Sequence, residues 1–198
     1  ILHLGYLMLL DRLDSFEGGQ TVAAKLLFNA RSAGLETSVD MCSAMHPEFR
    51  EIALSALPMI DHLTINEIEA GLTVGEVIDP KNSGWLLRTA EQLLSLGVKQ
   101  TVTIHTEHGA VCATADGLRL KQPSLKLPVG YSKGATGAGD AFAAGMLYGL
   151  HERFEIQERL RLAVCCAAAC LQDPTPSKGL RPVKDCLALA DQFGFGEF

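Results

Sequence analysis

Apolar residues recur along this chain with two periods that take turns. Compact apolar runs suited to buried strands alternate with longer stretches whose apolar positions fall three or four apart, the spacing of one helix face. Strands are predicted on that basis at 1–3 or slightly beyond, 37–41, 59–65 and 100–105, and helices at 19–33, 47–57, 67–71, 82–96, 138–150, 156–171 and 182–193. The punctuation agrees. Gly34 and Gly97 stand where helices should stop, and Pro47 where the second should open. Residues 110–115 and 117–121 read as a hairpin reversing at Asp116-Gly117. Gly18-Gly19 reads as a loop before a helix, and the proline-rich stretch 173–182 as a loop. Alternation of this kind implies βαβ units, a mostly parallel sheet covered on both faces, and ligands bound beyond the carboxyl ends of its strands. With no internal repeat and no low-complexity linker, a single α/β domain over residues 1–198 is expected.

Composition narrows the partners. A chain that is 47% hydrophobic and 20% charged is ordinary for a globular protein and long enough for one sizeable core. A net charge of −6 with no basic run argues against nucleic acid or an anionic membrane as partner. The apolar opening ends at Asp11 and Arg12, well short of a membrane span, and lacks the charged start of a signal peptide. The six cysteines, at 42, 112, 165, 166, 170 and 186, show no zinc-type paired spacing. Three of them lie in the apolar helical run 162–171, where free thiols behave as small hydrophobes, so a cytoplasmic protein with buried structural cysteines is expected.

The most informative stretch is GATGAGDAFAAG at 134–145. Gly137, Ala138 and Gly139 run directly into Asp140, and a helical pattern opens behind them. Backbone amides at a helix N-terminus favour an anion. Asp140 has two readings there: an ordinary capping carboxylate, or a general base beside a phosphate cradle. No Lys-Ser/Thr follows the glycines, which excludes a Walker A loop, and Phe142 stands where a dinucleotide fingerprint wants its third Gly or Ala. An anion hole with a carboxylate suits transfer of a terminal phosphoryl group to an alcohol.

Other polar residues carry weaker signals. Asn66 and Glu69 stand three apart, so on a helical turn they share a face and reach one ion or its water shell; capping explains Asn66 equally simply. Asp40 ends a strand, as a site acid or a turn residue does. His105 and His108 have no third ligand at a recognisable spacing and read as structural or surface groups. Lys133, just ahead of the glycines, reads equally as a phosphate contact or a solvated side chain.

The segment GATGAGD, with Asn66-Glu67-Ile68-Glu69 upstream and Thr103–Gly109 between them, resembles the GAGD, N-x-x-E and nucleotide-turn motifs of the ribokinase-like (PfkB) carbohydrate kinases, in order and spacing. The resemblance spans essentially the whole chain. It implies a ribokinase-like three-layer α/β/α fold, with the family's N-terminal strands and small β lid missing from these 198 residues. The chain would then be the nucleotide-binding and catalytic part of a longer kinase, its opening resembling a point midway through the family pattern. The resemblance implies Asp140 as base, the amides of Gly137, Ala138 and Gly139 as anion hole, and Asn66 and Glu69 positioning Mg²⁺ through water. It implies nucleotide contacts from Thr106, Gly109, Thr136 and Cys166, the last standing where an Asn is often found. Two departures stand out. Gly134-Ala135 replaces an Asp-Thr pair, removing a carboxylate of the monovalent-cation site of some members. Thr106 replaces the first glycine of the nucleotide turn.

The expected function is therefore ATP-dependent phosphorylation of a hydroxyl on a sugar or sugar-like molecule, with ATP and Mg²⁺, no nucleic-acid or membrane partner, and homo-oligomerisation left open. The alternative is a non-catalytic nucleotide-binding or regulatory module that kept the cradle. The residues that choose the acceptor belong to the missing portion of the family pattern.

Overall fold

A computed structural model describes all residues, Ile1–Phe198. In chain order the first half contains β1 (Leu2–Leu7), α1 (Asp11–Asp14), β2 (Phe16–Glu17), β3 (Gln20–Thr21), α2 (Val22–Ser32), β4 (Thr37–Met41), α3 (Phe49–Ala56), β5 (His62–Asn66) and α4 (Glu67–Val74). It continues with α5 (Ser83–Ser95), β6 (Thr101–Thr106), β7 (Gly109–Thr114), β8 (Arg119–Pro123), α6 (Ala138–His151), α7 (Ile156–Cys170) and α8 (Val183–Phe193). The chain packs as two compact units, Ile1–His105 with Val111–Leu120, and Thr106–Ala110 with Lys121–Phe198. No helix is long and apolar enough to cross a membrane.

The first unit holds most of a six-stranded sheet in the order β1-β4-β5-β6-β7-β8. Its first four strands are parallel, with Val39 opposite Leu63, Leu63 opposite Val102 and Ile65 opposite Ile104. All five residues of β4 are buried, polar Thr37, Ser38 and Asp40 included, as a strand covered on both faces requires. A buried carboxylate ties the strand starts together. Asp61 accepts hydrogen bonds from the Thr37 amide (2.9 Å) and hydroxyl (3.0 Å) and pairs with Arg31 at 3.4 Å. Thr21 caps α2 through the Ala24 amide, and Asn82 caps α5 through the Trp85 amide.

Several element bounds differ from the sequence expectation for local reasons. Pro58 sits in a single 3₁₀ turn, Leu57–Met59, so the third strand begins at His62 and not at 59. Helix α4 runs through Gly71 to Val74, because Gly71 serves close packing: a Cβ there would stand 2.4 Å from the Glu76 carbonyl oxygen. Gly18-Gly19 turns a small antiparallel hairpin between β2 and β3 and is not a plain loop. The first strand, expected over 1–3 or slightly beyond, runs from Leu2 to Leu7.

In the second unit, α6 and α7 lie backbone against backbone along small residues. A Cβ on Gly145 would stand 2.7 Å from the Ala163 Cα. Leu160, Leu162, Cys165 and Ala169 of α7 are buried, as are Cys186 and Leu189 of α8, and Tyr131 meets Phe193 edge to face at 5.3 Å between ring centroids. Gly145→Ala must therefore push the helices apart, an overpacking cost of about 1–3 kcal/mol. The expected result is a thermal midpoint lower by about 2–10 °C in a scan. Gly84→Ala, whose new carbon would meet nothing closer than 3.4 Å, is the control and should leave the midpoint unchanged or raised. Equal midpoints for Gly145→Ala and the parent chain would show that the seam yields without cost.

Candidate active site

The candidate site residues fall into two groups, one in each unit. In the first unit, Asp40 lies near the carboxyl end of β4, Asn66 closes β5, and Glu69 stands in the first turn of α4. Asn66 and Glu69 form a reciprocal cap: the Glu69 amide donates to Asn66 Oδ1, and the Asn66 amide donates to Glu69 Oε2, both at 2.9 Å. The Ser43 hydroxyl donates to Glu69 Oε1 at 2.8 Å and accepts from Asn66 Nδ2 at 2.9 Å. Capping and a common face are thus both realised, and the network holds the Glu69 carboxylate in one orientation.

Burial raises the stakes of this arrangement. Glu69 is 3% exposed and Asp40 6%. Loss of solvation pushes the Asp40 carboxyl up to about 7, the nearby Glu69 charge adds to the rise, and the bond from the Met41 amide opposes it. Glu69 is likewise raised, chiefly by burial, against the bonds from Asn66 and Ser43. Hard oxygens from Asn66 and two buried acids suit a magnesium ion held largely through its own water, and positive charge there would relieve their mutual repulsion. No three His, Cys, Asp or Glu side chains converge as a direct ligand set. Asp40 read from sequence as a site acid or turn residue; in the structure it faces Glu69. Ser43 carries no local sequence signal, being a loop serine that bonds a residue 26 positions away.

In the second unit, Gly137 caps α6 in the left-handed region, at φ 83°. A Cβ there would come within 2.2 Å of the Pro176 carbonyl oxygen, so both conformation and space demand glycine. The chain turns there into α6, placing Ala138, Gly139 and Asp140 in its first turn, with Asp140 exposed. Of the amides read as an anion hole, that of Ala138 donates to the Ala135 carbonyl at 3.1 Å and closes the turn. Thr136, exposed just before the cap, offers its carbonyl to the Cys170 thiol at 3.8 Å. The Lys133 ammonium donates to the Gly130 carbonyl at 3.1 Å.

The remaining nucleotide candidates are placed as follows. Thr106 makes the turn that a glycine would otherwise make: its hydroxyl accepts from the His108 amide at 3.0 Å and donates to the Gly109 carbonyl at 3.4 Å. Gly109 lies tight against the Gln122 carbonyl. Cys166 is buried in α7, and its thiol is engaged with Cys186 of α8, both raising its pKa. Loss of solvation pushes the His105 imidazole down to about 4, keeping it neutral, and His108 sits 3.2 Å from Glu107.

The raised Asp40 carboxyl has a measurable consequence. Between about pH 4 and pH 7 the folded chain keeps a proton on Asp40 that the unfolded chain has released, so its contribution to stability falls as pH rises through that window. The denaturant midpoint should be lower at about pH 8 than at about pH 5.5, and Asp40→Asn should narrow the gap. A gap of the same size in that variant would assign the pH dependence to other groups.

Comparison with known proteins bears on the family and the fold. The pfkB family carbohydrate kinase pattern matches residues 17–181. Among curated proteins, none matches. The structure is similar to that of Arabidopsis thaliana ribokinase complexed with ribose and ATP, at TM-score 0.69 and 23% identity, covering 85% of this chain and 51% of that one. It is also similar to a putative ribokinase II from E. coli in complex with ATP and Mg²⁺, at TM-score 0.70 and 22% identity, covering 87% and 54%. A third is Burkholderia thailandensis nucleoside kinase in complex with inosine, at TM-score 0.67 and 21% identity, covering 87% and 53%. The chain spans about half the length of these structures and shares their ribokinase-like α/β fold. By motif, fold and family pattern together, the chain belongs to the pfkB family of carbohydrate kinases.

Proposed function

We propose that this chain supplies the nucleotide-binding and catalytic part of a kinase that moves the terminal phosphoryl group of ATP to a hydroxyl of a sugar or sugar-like molecule. The observation that carries the reading is the glycine-enforced turn at Gly137, which opens α6 with Asp140 in its first turn. The amides of Gly137 and Gly139, with the helix dipole behind them, stabilise charge growing on the transferred phosphoryl oxygens; Ala138 shapes the turn. Asp140 accepts the proton of the attacking hydroxyl as the new oxygen–phosphorus bond forms and the bond to the departing nucleotide breaks. Thr106, Gly109 and Thr136 border the nucleotide, and Cys166 contributes by packing, its thiol being engaged with Cys186. Asn66 and Glu69, with Asp40 alongside, would hold magnesium through water; when bound, the ion neutralises phosphate charge. The solved ribokinases with ATP and with ATP and Mg²⁺ support this assignment of cofactors.

The test is phosphoryl transfer from ATP to a panel of sugars and nucleosides by the polypeptide that carries these residues, beside its Asp140→Asn variant. Transfer should fall by about 10²–10⁴-fold, the usual contribution of a general base. Affinity for Mg-ATP should hold, because the cradle is backbone. Near-normal turnover would remove Asp140 from the mechanism. Mg-ATP binding without transfer to any acceptor would favour a non-catalytic nucleotide-binding module.

Potassium should activate little. Gly134 brings no carboxylate, and a Cβ there would stand 3.0 Å from the Pro174 Cα, so a side chain would fit only if the neighbouring chain gave way. Turnover measured with and without potassium in sodium-free buffer checks this. A saturable, several-fold response would show that other oxygens complete a cation site.

A further inference from the structure

The loop 173–180, between α7 and α8, lies directly on the segment that leads into α6. The Lys133 amide donates to the Leu171 carbonyl at 2.7 Å. Gly137 presses on Pro176 with no room for a side chain between them, and Gly134 lies close to Pro174. At the centre of this contact is Cys170, the last residue of α7 and 1% exposed. Its sulfur stands 3.2 Å from the Pro176 carbonyl oxygen and 3.8 Å from that of Thr136. We propose that Cys170 is a positioning residue for the anion cradle, its S–H shared between these two carbonyls so that the proline loop is fastened to the chain entering α6.

The geometry gives that bond a specific consequence. The Thr136 carbonyl and the Gly137 N–H belong to one planar peptide unit and point in opposite directions. A donor that fixes the Thr136 oxygen on the α7 side therefore fixes the Gly137 N–H on the other side, where the cradle needs it. Accepting a hydrogen bond also polarises the peptide unit and strengthens its amide as a donor. The thiol stays protonated for this role: burial, then the charges of Asp140 and Asp173, push its pKa above the usual value. The other cysteines of α7 do something else, since Cys165 and Cys166 neighbour Cys186. The inference rests on the proposed kinase reading for the identity of the anion, a nucleotide phosphate, but the fastening itself does not.

The test uses the full chain with four substitutions, Cys170→Ala, Cys170→Val, Cys170→Ser and Cys165→Ala, the last at an equally buried cysteine of the same helix. Mg-ATP affinity is measured by calorimetry, thermal stability by scanning, and hydrogen exchange at the amides of residues 136–140 without nucleotide. Cys170→Ala should weaken Mg-ATP binding about three- to tenfold, the loss of one hydrogen bond, and speed exchange at Gly137. Cys170→Ser, which still donates, should restore both. Cys165→Ala should lower stability and leave both unchanged. A second non-donor, Cys170→Val, must behave as alanine does, which keeps the test open should alanine fail to fold. Parent-like affinity and exchange in both non-donors would overturn the inference, as would equal effects from Cys165→Ala. A parent chain with no affinity for Mg-ATP would instead overturn the kinase reading, and exchange at Gly137 would still decide whether Cys170 fastens the loop.

Discussion

Taking carboxylates out of water is the constraint around which the first unit is arranged. Asp14, Asp40, Asp61 and Glu69 are all buried there, and an unmatched buried carboxylate is too costly for a fold to keep. Three of them are turned into joints. Asp14 accepts from the Met8 and Leu10 amides and holds the turn that leaves β1. Asp61 accepts from Thr37 and pairs with Arg31, setting where β4 begins beside β5. Glu69 accepts from the Asn66 amide and the Ser43 hydroxyl, tying the loop after β4 to the start of α4. Asp40 has the thinnest compensation, the Met41 amide, and it faces Glu69. Structural acids give up their lone pairs to the backbone; an acid left with lone pairs to spare beside another acid is where a cation is worth most.

What was legible in the sequence follows from the range of the interactions involved. Periodicity and capping are local, so the strand–helix alternation, the cap at Asn66, the turn at Asp116-Gly117 and the helix opening at Ala138 could all be read from neighbours. Glycine was read less well, because one residue type answers two different needs. Gly71 suggested a helix stop but serves a close approach to Glu76, and the helix ends four residues later at Gly75. Gly18-Gly19 suggested a loop and makes a hairpin turn whose strands are too short to show alternation. The burial of Cys170 is legible in its apolar helical run, but its bond to Thr136 and that of Ser43 to Glu69 are not. Each bond spans more than 25 positions, and nothing in the surroundings of either residue marks the partner.

The same distinction explains why the departures from the family pattern are of unequal weight. Thr106 replaces a glycine in the nucleotide turn, yet its hydroxyl supplies hydrogen bonds that hold the turn together, so backbone shape survives by a side-chain route. Gly134 stands where the family pattern has an acid and brings no charge of its own, and the chain nearest to it is Pro174. A change that affects only shape can be compensated by any group that restores the shape. A change that removes charge can be compensated only by another charge within a few ångströms, since Coulomb energy in a partly wet site falls quickly with distance. In the proposed kinase the shape of the cradle is kept by packing, with Pro176 against Gly137 and the Cys170 thiol on the Thr136 carbonyl, while its electrostatics rest on the dipole of α6, with Asp140 in the first turn. In that kinase, mutations at the packing positions should move nucleotide affinity and leave proton transfer in place, and mutation of Asp140 should do the reverse.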